Sequence, residues 1–103
     1  MRIKGVGLSQ LDGCYQKDES VVSRDIAGEV ILVPIRQNVG DLESIYTLNE
    51  TAAFIWALLD GKRTVGDIRD HVVAEFEIDK VEAEADLREL LAQLEAIGAV
   101  RKA

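Results

Sequence analysis

The stretch Ser44-Ile45-Tyr46-Thr47-Leu48-Asn49-Glu50-Thr51-Ala52-Ala53-Phe54-Ile55-Trp56 decides the fold of this chain. A short β-prone run alternates into Leu48. A helix then opens at Asn49, a residue type whose side-chain oxygen accepts a free backbone N–H of the first turn. Thr47 and Glu50 form a competing capping-box pair. A strand joined to a helix this tightly has a fixed position, so its free edge can be aimed at a partner.

Working outward, Val21-Val22-Ser23-Arg24-Asp25-Ile26 is β-branched with partial alternation, and Ala27-Gly28 is a turn signal. Glu29-Val30-Ile31-Leu32-Val33-Pro34-Ile35 is an apolar strand, so the two read as a hairpin. Pro34 cannot donate to a ladder and belongs at a strand end or edge. Residues 37–43, with Gly40-Asp41, read as a loop, and 44–48 as the third strand. Residues 1–20 have little pattern and several glycines, and read as an N-terminal arm, loose or tied down by a second copy. The domain proper is expected over 21–103.

Three helices follow. The first is expected over 50–59, with Ala52, Ile55, Trp56 and Leu59 on one face and Gly61 as its stop. The second opens at Thr64, with Asp67 three residues later as a near-capping box, and Val65, Ile68, Val72 and Phe76 at helical spacing. The third opens at Asp79, and Glu82 completes a capping box. Its stripe is Ala83, Leu87, Leu90, Leu91, Leu94 and Ile97, and Gly98 ends it. Val100-Arg101 reads as a brief strand. Fold class is therefore α+β: a winged helix-turn-helix-like layout of three N-terminal β-strands followed by three α-helices.

Composition narrows function by exclusion. The chain has 103 residues, enough for one domain with a modest core. No apolar run approaches a membrane span, and Arg2 and Lys4 are not followed by an apolar h-region, so no membrane association and a cytoplasmic location are expected. Cys14 is the single cysteine and reads as a spare surface thiol. His71 is the single histidine, so no metal spacing arises. Gly5-Val6-Gly7 lacks the strand-turn-helix context of a phosphate loop. No catalytic set, cofactor or metal site is expected.

Net charge is −7. In a DNA-binding winged helix the second helix of the turn enters the major groove. Here that helix carries Glu82, Glu84, Asp86, Glu89 and Glu95 against Arg88, which repels phosphates. The shape suits DNA and the charge does not. A regulator or protein-interaction module acting through protein contacts is the alternative reading.

The residues Tyr46-Thr47-Leu48-Asn49-Glu50-Thr51-Ala52-Ala53-x-Ile55-Trp56-x-Leu58-Leu59-Asp60-Gly61, then Thr64-Val65-x-x-Ile68, then Asp86-Leu87-x-x-x-Leu91-x-x-Leu94-x-x-x-Gly98, resemble the PqqD family, named for a pyrroloquinoline quinone biosynthesis protein. The similarity covers residues 21–100. It implies a non-catalytic peptide-binding adaptor, the template of recognition elements in pathways that modify ribosomally made peptides. Such domains hold the leader of a precursor peptide by strand addition and present it to a modifying enzyme, commonly a radical-SAM protein. By position, the strand is Ser44, Ile45, Tyr46, Thr47 and Leu48, and the helix is the third.

An open edge offers N–H and C=O groups to an extended guest, with pockets for its side chains. The edge over 44–48 has no Pro or Lys to blunt it. Leu87, Leu91 and Leu94 are expected mostly in the core, with those at the stripe's margin lining the groove. Asp86 and Arg88 would flank that margin and set register with a charged leader. Tyr46 faces either groove or core, and Trp56 the core. Tyr46→Pro is expected to weaken binding if the Tyr46 N–H faces the guest. The arm and the open edge leave room for a homodimer.

Overall fold

A computed structural model describes residues 12–35 and 45–103. Its elements, in chain order, are β1 (Cys14–Lys17), β2 (Val21–Ile26), β3 (Glu29–Pro34), β4 (Tyr46–Leu48), α1 (Glu50–Leu58), β5 (Asp60–Thr64), α2 (Val65–Phe76), α3 (Lys80–Ala96) and β6 (Val100–Lys102). Two antiparallel sheets form, ordered β2-β3-β4 and β5-β1-β6. The expected loop over 37–43 lies outside the described residues.

The β2-β3 hairpin closes on Ala27 and Gly28, both at positive φ, which suits a two-residue turn matched to strand twist. Its register settles which backbone groups face which neighbour. The Ile35 N–H donates to the Ser20 carbonyl at 2.8 Å, so residue 35 points toward β2. Backbone direction alternates along a strand, so Val33 and Ile31 also face β2, whereas Leu32 and Val30 face β4. Pro34 thus sits where β2 needs no donor from it, at the strand end. Opposite Leu32 and Val30 stand Tyr46 and Leu48. Their backbone groups are therefore consumed by β3, and those of Thr47 point away from the sheet. The Tyr46 N–H does not face a guest on the outer edge, and the condition attached to Tyr46→Pro is not met.

Helix boundaries follow from local chemistry. The Asn49 side chain accepts the Ala52 N–H at 2.8 Å, so Asn49 is the cap and the Thr47–Glu50 pairing is not used. Thr64 and Asp67 exchange both bonds of a capping box. Asp79 accepts from the Glu82 N–H, but the Glu82 side chain makes no return bond to the Asp79 N–H, so this is a simple cap and not the expected box. At the end of α3, Gly98 at φ +75° donates to Glu95 and Ala99 donates to Leu94. Those two bonds close a Schellman motif and satisfy two terminal carbonyls.

The N-terminal reading needs correction. Cys14–Lys17 falls in the stretch expected to be an arm, yet β1 is the central strand of the second sheet, paired with β5 and β6. Gly61 is not the stop of α1, whose cap is Leu59 at φ −85° and ψ 83°. Gly61 instead lies within β5 at φ +80°, where a Cβ would meet the Gln16 side chain at 3.1 Å. Cys14 is half-buried in β1, its thiol directed at the Lys62 carbonyl.

One apolar core joins the layers. Leu32 and Leu48 meet Ala52, Ile55, Trp56 and Leu59 of the α1 region, Val65, Ile68 and Val72 of α2, and Ala83, Leu87, Leu90, Leu91 and Leu94 of α3. Trp56 is core, as expected, and the Lys17 ammonium sits 5.3 Å above its ring. Among the described residues no polar or charged residue is buried. No described helix is long and apolar enough to cross a membrane.

Candidate functional site

β4 is an edge strand among the described residues: β3 holds one side of it and no strand holds the other. Its three residues have three different tasks. Leu48, 4% exposed, fixes the strand to the core. Tyr46 is half-buried and crosses to α3, where its hydroxyl donates to the Gln93 side-chain carbonyl. Thr47 is exposed, and by the register above it presents its backbone N–H and C=O outward.

Between this edge and α3 runs a groove of about 290 Å³, open to solvent. One side is Tyr46, Thr47, Leu48, Asn49, Thr51, Ala52 and Ile55, and the other is Asp86, Glu89, Leu90 and Gln93. Leu48, Ala52, Ile55 and Leu90 supply its buried apolar surface. Asp86 and Glu89 supply its charge, all of one sign. An unpaired strand edge beside an apolar floor and a polar wall has what an extended peptide needs: main-chain partners, and places for alternate side chains.

Tyr46, Thr47, Leu48 and Asp86, expected from sequence, meet at this groove. Ile45 is exposed just before β4 but does not line the groove, and Ser44 lies outside the described residues. Leu87 and Leu94 are fully buried and Leu91 is 6% exposed, so all three face the core and leave the groove to Leu90. Arg88 is turned away and pairs with Glu84 one turn back at 3.1 Å. Asn49, Thr51, Ala52, Ile55, Glu89, Leu90 and Gln93 were not expected at the site. The signal that would have found the helix wall is the 3-4 repeat Asp86, Glu89/Leu90, Gln93, one stripe over from the leucines.

The second sheet carries the shifted ionisable groups. Hydrogen bonds from the Ser20 N–H and the Arg101 guanidinium, at 2.9 and 3.0 Å, hold Asp18 below the usual carboxylate range. Asp60 is held down by the N–H groups of Arg63 and Lys62 and by the Arg63 guanidinium at 2.7 Å. Burial lowers the Lys17 ammonium while the Asp60 charge opposes, and Lys17 donates to the Leu59 carbonyl. Burial, assisted by the Glu95 charge, raises Tyr15. The Asp18–Arg101 pair ties the end of β1 to β6 and the Lys17–Leu59 bond ties β1 to the residue before β5, while the Asp60 contacts stay within β5. A separate open concavity is lined by Arg63, Asp67, Asp70 and His71. Among the described residues no group of three or more His, Cys, Asp or Glu could hold a metal ion.

The sequence pattern of the family described as coenzyme PQQ synthesis protein D (PqqD) matches residues 29–100, which include β4, the groove and all three helices. The chain belongs to the PqqD family. Two solved structures share the fold. TbiB1, in complex with the TbiA(beta) leader peptide, is 27% identical with a TM-score of 0.70, over 84% of this chain and 94% of that one. A lasso peptide synthetase B1 complexed with the leader peptide is 21% identical with a TM-score of 0.72, over 84% and 96% of the two chains. No curated protein matches the chain significantly.

Proposed function

We propose that this protein is a non-catalytic adaptor that holds the leader segment of a ribosomally made precursor peptide and presents it to a modifying enzyme. The observation that carries this is the outer edge of β4, open alongside α3, with the Thr47 backbone pointing into the groove. A leader laid there would become the fourth strand of the β2-β3-β4 sheet, its alternate side chains packed between Leu48 and Leu90. The leader peptides named for the two similar structures support the reading, TbiB1 with more weight because of its 27% identity. Family resemblance implies a radical-SAM protein as the enzyme. A ribosomal precursor is met where it is translated, which puts the adaptor in the cytoplasm. One copy of the chain suffices.

Titration of isotopically labelled protein with candidate leader peptides tests this. The amides of Ile45 to Leu48 and of Asp86 to Gln93 are expected to shift together, with those of α2 unmoved. Shifts confined to β5, β1 and β6, or none with any leader encoded near the gene, would reject it.

A further inference from the structure

The groove is charged on one wall, and among the described residues no compensating charge lines the other. Asp86 and Glu89 are exposed and three residues apart, hence on one face of α3. Neither makes an ion pair among the described residues, and Arg88 between them is taken by Glu84. The opposing strand residues Tyr46, Thr47 and Leu48 carry no charge. The lining stretch from Asp86 to Gln93 rises about 10 Å along the helix, which a strand covers in about three residues. It therefore faces one or two inward-pointing guest side chains. The carboxylates stand beside the apolar floor of Leu48 and Leu90.

We propose that the guest is a basic leader segment: a Lys or Arg points at Asp86 and Glu89, its inward neighbour two residues away is apolar and packs on Leu48 and Leu90, and this pair sets the register of the guest on β4. The proposal deepens the peptide-holding function above and rests on it. An acidic residue at the same place would meet two carboxylates, so the pair also rejects wrong registers. Because the carboxylates are exposed, the cation contributes modestly, about three- to tenfold in affinity.

A displayed library of random peptides of about twelve residues, long enough to add a strand of ordinary length, is selected on the immobilised full chain. The enriched peptides are then measured by fluorescence anisotropy against three variants. Asp86→Asn/Glu89→Gln removes the pair. Glu29→Gln/Glu75→Gln removes the same charge from exposed positions away from the groove. Thr47→Pro removes the outward donor of β4. Enrichment of Lys or Arg two residues from an apolar residue supports the proposal. So does a three- to tenfold loss, erased by high salt, in Asp86→Asn/Glu89→Gln but not in Glu29→Gln/Glu75→Gln. Peptides that lose affinity in Thr47→Pro yet show no basic preference overturn the charge selection and leave strand addition standing. Absence of any binder, or binders indifferent to Thr47→Pro, overturns both.

Discussion

Thr47→Pro separates guest binding from folding because the register gives neighbouring residues of β4 opposite duties. Tyr46 and Leu48 spend their backbone groups on Leu32 and Val30, whereas the Thr47 N–H faces the groove. Proline at 47 deletes that one donor without touching the β3 ladder, and edge strands tolerate proline on their open side. The Thr47 side chain lies on the exposed face, so little packing is lost. The bound guest would lose one main-chain hydrogen bond and keep an unsatisfied carbonyl, a cost of about 1–3 kcal/mol, or roughly 5- to 150-fold in Kd. Tyr46→Pro is the contrasting variant. It breaks the pair with Leu32, the 1%-exposed centre of the sheet, and removes the tie to Gln93, so it should lower stability itself.

The assay is fluorescence anisotropy with a labelled leader peptide, beside urea denaturation of each variant. Thr47→Pro is expected to keep its unfolding midpoint and lose affinity. Thr47→Ala keeps the N–H and should bind as the parent does. Thr47→Pro that unfolds while Tyr46→Pro stays folded would refute the register. Thr47→Pro that folds and binds unchanged would refute strand addition at this residue.

Three further outcomes are expected. Leu87→Ala leaves a cavity at a fully buried position between α3 and the rest of the core and should cost about 2–5 kcal/mol, read as a lower urea midpoint with any binding loss tracking the unfolded fraction. Ala27→Asn replaces a residue at φ +55° in the hairpin turn with one that tolerates the left-handed region. A gain of about 0.5 kcal/mol, roughly 2–4 °C in Tm, is expected by calorimetry. Asp18, whose folded carboxyl is held below the usual range, contributes stability that is present above its unfolded pKa and lost as pH falls through the folded one. Asp18→Asn should therefore lower stability at neutral pH and converge on the parent in strong acid; a constant gap across pH would contradict the assignment.

Where residues make their structure locally, the sequence showed it. The Asn49 cap, the Thr64–Asp67 box and the Gly98 stop each depend on neighbours within a few positions, and all three form. In the second sheet β6 was legible as Val100-Arg101, but β1 and β5 were not, for the opposite reason. Cys14–Lys17 is four residues long and Asp60–Thr64 is Asp-Gly-Lys-Arg-Thr, a composition that reads as a turn. Each is a strand because its partner lies far along the chain: Cys14 opposite Thr64, and Lys17 opposite Val100. Tertiary pairing overrides weak local preference in such segments. The groove was half legible for a third reason. A stripe as wide as Leu87, Leu90, Leu91 and Leu94 announces burial without saying which margin meets solvent. Only the position of β4 decides that Leu90 lines the groove while Leu87 and Leu94 do not.

The same scaffold also explains why α3 serves a peptide better than a duplex. A winged helix offers the second helix of its turn, here α3, as a convex rod, and a major groove accepts that rod only if cations neutralise the phosphates beside it. Here the cation at the middle of the rod, Arg88, is already paired with Glu84, and Glu82, Asp86, Glu89 and Glu95 are exposed around it. What α3 offers instead is one side of a cleft whose other side is a strand edge with outward backbone groups. Strand addition draws its affinity from those neutral groups and is indifferent to the sign of the surrounding field. Charge is then left to discriminate among guests. An acidic wall that would be a liability against nucleic acid becomes the means by which one register of one leader is preferred over others.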